Sequence, residues 1–290
     1  MANLKEIRNR ITSVGSTMQI TSAMKMVSAA KLKRAQDAVT QMRPYAEKLK
    51  EILGNLSASL DLSENALAED RGTENVLIIA ITSNRGLCGG FNNNIIKQVN
   101  QLMISDYKDS NVKILALGKK AKDAFKRSEA YYESADTDQV ADIFADLSFS
   151  NTAILAQAAM DRFMDKTFDR VVVVYNTFVN AASQVVKTEQ LLPIIPTVSE
   201  GNSTADYIFE PSKEEIVEEL IPKSLKIQLF KALLDSNASE HGARMTAMHK
   251  ATDNAKELKR SLTLSYNKAR QAAITNEILE IVGGAEALNA

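Results

Sequence analysis

From residue 3 to about residue 58, apolar side chains recur at steps of three and four: Leu4, Ile7, Ile11, Val14, Met18, Leu32, Ala35, Val39 and Met42. That spacing is the seam of a coiled coil. Thr21, Lys25 and Ser28 fall on the same seam but are polar, while Ile20, Met24 and Val27 form a stripe beside them. The pattern predicts a seam that shifts by one position there, with a local change of winding able to store twist. Pro44 is expected to kink or restart the helix, because it lacks an N–H and crowds the preceding turn.

Between about 74 and 200 the texture changes. "NVLIIAIT" reads as a fully buried strand, too short and too β-branched for a helix. A helical pattern at 92–106 follows, then a second buried strand, "VKILALG". Residues 119–128 read as a helix, "AYYES" as a weak strand, and 138–147 and 151–165 as two more helices. "DRVVVVYN" is a third strong strand, and "SQVVKTEQLLPI" a fourth with more alternation. This order predicts a Rossmann-like, mostly parallel α/β sheet covered on both faces.

From "FEPSKEEIVEEL" onward the pattern is helical again. Pro222 suits a first helical turn, where a missing N–H costs nothing. Between it and Gly283–Gly284 the only breaker is Gly242, and one mid-helix glycine costs ~1 kcal/mol, too little to end a packed helix. At ~1.5 Å per residue this helix would extend ~90 Å, against a diameter of about 50 Å for a compact chain of this length. It must therefore project. The expected division is a helix at 1–58, an α/β domain at 74–200 and a long helix at 212–290, with the terminal helices paired antiparallel and the last one overhanging. Its seam has small and polar members, among them Ala238, His241, Thr252, Ala255, Ala269 and Ala273. Small residues bring helix axes close, and a slender, weakly apolar rod suits the cavity of another protein.

Composition sharpens this picture. Of 290 residues, 45% are hydrophobic and only 6% aromatic, with 5 prolines, which favours helix over an all-β fold. The lone Cys88 excludes an internal disulfide and fits a reducing compartment. No secretory signal core precedes the first helix and no apolar run is long enough for a membrane span. Net charge is −1, yet residues 1–50 hold ten basic side chains against Glu6, Asp37 and Glu47, so that segment is +7. Such a basic helix suggests an acidic partner surface. A nucleic-acid arm is the other reading, but Tyr45 is the only aromatic there for base stacking.

"ITSNRGLCGGFNNN" poses the question of a phosphate cradle. It lacks the lysine and hydroxyl that follow the glycines of a P-loop, and the spacing of a dinucleotide fingerprint. Gly86, Gly89 and Gly90 are expected to permit a tight turn and close helix–sheet contact, with Arg85 as a partner contact. A nucleotide-binding α/β enzyme using this turn is the alternative. His241 and His249 are eight residues apart on one helix, too far to share a metal, and His241 is expected to pack in the interior. "SKEEIVEEL" reads as an acidic helix start, and the scattered methionines as packing. No catalytic group, cofactor site or metal site is expected.

Three stretches resemble one family. "ITSAMKMVSAAKLKRAQ", "TSNRGLCGGFNNN" and "LSYNKARQAAITNEILEIVGGAEAL" are similar, in order and spacing, to the gamma subunits of F-type ATP synthases, bacterial ones in particular. The resemblance implies a non-catalytic rotor shaft: an antiparallel coiled coil inside a ring of alpha and beta subunits, with the α/β domain as a foot beside the epsilon subunit on the c-subunit rotor ring. It implies that Arg270, Gln271 and Thr275, with Glu277 nearby, meet loops of the catalytic ring. It sets Met24 and Lys25 level with an acidic lever on beta, and adds Arg8 and Arg10 to the bearing. At the foot it points to Tyr207 and Glu210 of "DYIFEP", beside Arg85, as contacts to epsilon or the rotor ring. The implied location is peripheral, on the cytoplasmic face of the bacterial plasma membrane, with no nucleic acid and no direct membrane insertion.

Overall fold

A computed structural model describes residues 4–59, 66–133, 143–181, 183–194 and 213–289. The elements are α1 (Leu4–Ser59), β1 (Asn75–Ile81), α2 (Phe91–Ile104), β2 (Asn111–Leu117), α3 (Lys119–Phe125), α4 (Phe149–Met164), β3 (Arg170–Phe178), β4 (Gln184–Leu192) and α5 (Lys213–Asn289). They form two compact units, one of Ala29–Arg244 and one joining Met1–Ser28 to Met245–Ala290.

In the larger unit the sheet order is β2-β1-β3-β4. β1 runs parallel to both neighbours, with Ile78 opposite Ile114 on one side and Val172 on the other, and β4 closes the sheet antiparallel to β3. The unbroken apolar run of β1 follows from burial on both faces. Leu77, Ile79 and Ile81 point into a core shared with Leu155, Met160 and Phe163 of α4 and with Leu225, Leu229 and Leu233 of α5. Val76, Ile78 and Ala80 point the other way, onto Ile95 and Val99 of α2 and Ala121 and Phe125 of α3. A fully buried aliphatic side chain contributes ~1.5–3 kcal/mol, so this strand is the centre of the unit's stability.

Several expectations need correction here. "AYYES" makes one isolated bridge, Tyr131 with Ile114, because only that short stretch reaches the edge of β2. Of the helix expected at 138–147, residues 143–146 are turn and bend, 147 is irregular, and 138–142 lie outside the described residues. α5 begins at Lys213, so Pro222 sits inside it. Burial of Ile221, Leu225 and Leu229 in the core outweighs a proline penalty of about 3 kcal/mol. Gly283 and Gly284 leave the helix unbroken, within the range expected for it; neither takes the left-handed conformation that caps one, and the helix runs on to Asn289. α1 likewise continues through Pro44.

The seam of α1 does not shift. Thr21 and Ser28 are buried, Lys25 is half-buried, and Ile20 and Val27 of the offset stripe are 60% and 58% exposed. Register is held because the polar positions find partners: the Thr252 hydroxyl lies 2.8 Å from that of Thr21, which donates to the Met18 carbonyl, and Ser28 donates to the Met24 carbonyl. A satisfied hydroxyl removes most of the cost of burying a polar group, so no slip to the apolar stripe is needed.

The close-contact glycine of the sheet is Gly118, between β2 and α3. It has φ of 97°, and a Cβ there would stand 2.2 Å from the Thr82 carbonyl oxygen. Gly15, inside α1, is different, since a Cβ would meet only the flexible end of Lys259 at 3.6 Å. Gly118→Ala is therefore expected to destabilise the chain by more than ~2 kcal/mol. Gly15→Ala should stabilise it by about 0.5–1 kcal/mol, both read from urea denaturation of the full chain; equal effects would contradict this account.

Candidate functional site

The chain leaves β1 through α2 towards β2 and returns on the other side as β3. The crevice at the carboxyl ends of β1 and β3 is thus the switch point, where open α/β sheets take their ligands. The glycine turn stands at its mouth, and α5 fills it. Ser239 Oγ donates to the Asn176 carbonyl at 3.0 Å, and Ala243 packs with Cys88 and Phe91. One nitrogen of Arg244 donates to the carbonyls of Arg85 at 2.9 Å and Gly86 at 3.3 Å. The turn offers carbonyl oxygens to a guanidinium, the reverse of an N–H cradle for phosphate.

The turn is locked from within as well. Ser83 N–H donates to Asn92 Oδ1 at 2.9 Å, Ser83 Oγ donates to the Arg85 carbonyl at 2.6 Å, and Asn92 Nδ2 donates to Cys88 Sγ at 3.1 Å. Gly89 and, less usually, Leu87 take positive φ, 61° and 62°. The tight turn is as expected. The close contact is not, since a Cβ at Gly89 would meet nothing within 4 Å and one at Gly86 or Gly90 only ordinary side-chain neighbours. Arg85 itself is exposed.

Arg244 is also paired with Glu240, one turn earlier on α5 and equally buried. Burial pushes the Glu240 carboxyl up from its ordinary range, and Arg244, Lys31 and Arg85 pull it back. His241 is half-buried beside them, its Nδ1 without a hydrogen-bond partner. Burial, then Arg244 and Lys31, lower its pKa to about 4. Neither residue of the Glu240–Arg244 pair stood out in the sequence, although their i,i+4 spacing was a usable signal.

In the smaller unit, α1 covers α5 as far as Ala273. From Ile274 to Ala285 every position of α5 is exposed. This tip includes Ile274, Ile278, Leu279, Ile281 and Val282, with Ile281 71% exposed. At about 100° per residue, Ile274, Ile278, Ile281 and Val282 share one stripe on a different face from the seam residues Tyr266, Ala269 and Ala273. Arg270 and Glu277 border the stripe on one side, and Gln271 and Thr275 lie at its other side. All four are exposed, and Thr275 Oγ1 donates to the Gln271 carbonyl at 3.0 Å. The four residues expected at the tip are thus gathered on about two turns around an apolar strip.

The remaining candidates are dispersed. Arg8 donates to the Tyr266 hydroxyl at 2.7 Å and lies over its ring at 5.6 Å, so it braces the helix pair. Arg10 is exposed and Met24 half-buried. Lys25 Nζ stands 3.5 Å from His249 Nδ1. Tyr207 and Glu210 lie outside the described residues. Among the described residues no group of side chains is arranged to hold a metal ion, and no helix is long and apolar enough to cross a membrane.

The family model for ATP synthase matches residues 3–288. The ATP synthase gamma chain of Christiangramia forsetii is 61% identical over 290 residues, covering all of both chains. The chain belongs to the ATP synthase gamma-chain family. It is the gamma subunit, the central-stalk rotor of a bacterial F-type ATP synthase, and a non-catalytic part of that membrane-associated complex. Among solved structures, the central stalk/c-ring of Tetrahymena thermophila mitochondrial ATP synthase matches with a TM-score of 0.57 at 25% identity, over 80% of this chain and 99% of that one. The rotor of the Euglena gracilis mitochondrial enzyme shares the fold, with a TM-score of 0.66 at 22% identity, over 93% and 98% of the two chains. The two long helices and the mixed sheet are therefore the gamma-chain architecture.

The His241 environment sets a pH dependence. Its folded pKa lies below the ordinary value of about 6.5, so the unfolded chain binds more protons between the two values. Stability is then present above about pH 6.5 and is lost as pH falls towards 4. A His241→Gln chain should show a shallower fall over that window in thermal unfolding followed by circular dichroism. Identical slopes would mean that His241 does not titrate as described.

Proposed function

We propose that this gamma chain couples ion-driven rotation of the c-subunit ring to conformational cycling of the alpha/beta catalytic ring, for ATP synthesis or hydrolysis, and that the α5 tip is its bearing surface. The observation that carries this reading is the exposed tip, where five large aliphatic side chains are left uncovered beside Arg270, Gln271, Thr275 and Glu277. An apolar strip edged by a few polar groups suits a sliding contact. Apolar contact is non-directional, while single hydrogen bonds of about 0.5–1.5 kcal/mol net are readily broken and remade.

Met24 and Lys25 face an acidic lever on beta in this reading, with Arg10 and the braced Arg8 adding positive charge to the bearing. Arg85 on its locked turn, with Tyr207 and Glu210, serves the foot contacts to epsilon or the rotor ring. The subunit is held peripherally on the cytoplasmic face of the plasma membrane by those partners, without inserting into the bilayer and without binding nucleic acid. The filled switch-point crevice speaks against the alternative of a nucleotide-binding enzyme.

The test is ATPase activity of purified alpha and beta subunits with and without this chain, in wild-type form and truncated after Leu262. The chain alone should show no turnover and no ATP binding. Added to the ring it should be needed for stable multi-site hydrolysis, and truncation should weaken coupling while the α/β unit stays folded. A ring indifferent to the chain would overturn the proposal. Lys25→Glu should lower coupled activity severalfold with assembly intact; wild-type coupling would remove Lys25 from the bearing.

A further inference from the structure

One nitrogen in the smaller unit faces two groups of opposite charge. His249 Nδ1 is 3.5 Å from Lys25 Nζ of α1 and 3.3 Å from Asp253 Oδ2, one turn further along α5. Among the described residues these are the charged groups that reach the imidazole. The adjacent hydroxyls of Thr21 and Thr252 are engaged with each other and carry no charge. His249 and Asp253 are both exposed, so protons exchange freely with solvent.

The two contacts need different states of the same atom. A neutral ring with a lone pair on Nδ1 accepts from the Lys25 ammonium but can give nothing to a carboxylate. A protonated ring donates Nδ1–H to Asp253 and repels the ammonium. Nδ1 holds a lone pair or a proton, never both. We propose that Lys25, His249 and Asp253 form a proton-driven exchange, in which protonation of His249 moves Nδ1 from Lys25 on α1 to Asp253 on α5 and releases the Lys25 ammonium. The proton comes from solvent and returns to it; no covalent bond other than N–H forms or breaks.

Histidine is the side chain whose unperturbed charge change falls between about pH 5 and 8. Only a neutral ring with its lone pair on Nδ1 can cross-link the two helices; a charged ring stays within α5. The consequence for the enzyme rests on the reading of Lys25 as a bearing contact: acidification would hand that ammonium to the acidic partner. The exchange itself does not need the ring of partners.

The test uses the isolated full chain with 13C-labelled lysine, the Lys25 side-chain signal being assigned by its loss in Lys25→Arg. With only two histidines in the chain, the imidazole signals are assigned by His249→Gln. The Lys25 signal should step between about pH 5 and 8, together with the His249 ring proton, and run flat in His249→Gln. In Asp253→Asn the step should move to lower pH, because the charged ring loses its carboxylate partner. His249 and Asp253 are exposed and Lys25 is half-buried, and unchanged circular dichroism confirms that the variants fold. Superimposable Lys25 curves in wild type and His249→Gln, or a step unmoved in Asp253→Asn, would overturn the exchange. Because no ring is present, that failure is separate from failure of the bearing, which the coupling assay reads.

Discussion

The larger unit depends on α5 occupying the space where its sheet would otherwise bind a ligand. Parallel strands that diverge from a central pair leave a crevice at their carboxyl ends, and here a helix from the other end of the sequence lies in it. Ser239 fastens that helix to β3 through the Asn176 carbonyl, and Arg244 fastens it to the turn after β1. Neither contact is worth more than a few kcal/mol. Their placement matters more, because each ties the helix to a backbone carbonyl rather than to a mobile side chain. Buried Glu240 keeps the guanidinium from being an uncompensated charge. A scaffold associated with nucleotide chemistry has thereby become a socket for a helix.

The helix pair of the smaller unit follows another logic. Its interior is lean: Thr21, Ser28, Thr252 and Ala255 stand where a stable coiled coil would carry leucine or isoleucine. Hydroxyls satisfied across the seam or by their own helix fix register without much apolar volume. Larger aliphatic groups such as Ile20, Val27 and Ile281 lie outside. The arrangement gives up part of the usual stability of a coiled coil and keeps apolar surface for partners.

Much of this was legible in the amino-acid order. The strand-length runs Val76–Ile81 and Val171–Tyr175, bounded by turn residues, located the sheet, and the three-and-four spacing from Leu4 to Met42 located α1 with its seam. The errors share a cause. Reading Thr21, Lys25 and Ser28 as a break treated polarity as exposure, whereas Thr21, partnered by Thr252 of α5, and Ser28, bonded to its own helix, are buried. Placing Pro222 in a first helical turn treated local propensity as decisive, though propensity is the smaller term beside core packing and helix continuity. Arg244 and Glu240 were missed because their role appears only when residues some 160 apart, Arg85 and Arg244, come together. The tip residues were legible through resemblance to a family; their common position around an apolar strip needed the burial of the neighbouring seam to be seen.

The uncovered strip on the α5 tip also bears on biogenesis. A newly made chain carries Ile274, Ile278, Ile281 and Val282 into the cell without a cover of its own, and contiguous apolar surface in water invites self-association and capture by quality-control machinery. The feature that equips the chain for its partners thus makes it dependent on their timely supply. Surplus copies are the ones at risk of clearance, so the exposed strip links the abundance of this subunit to that of the complex it joins.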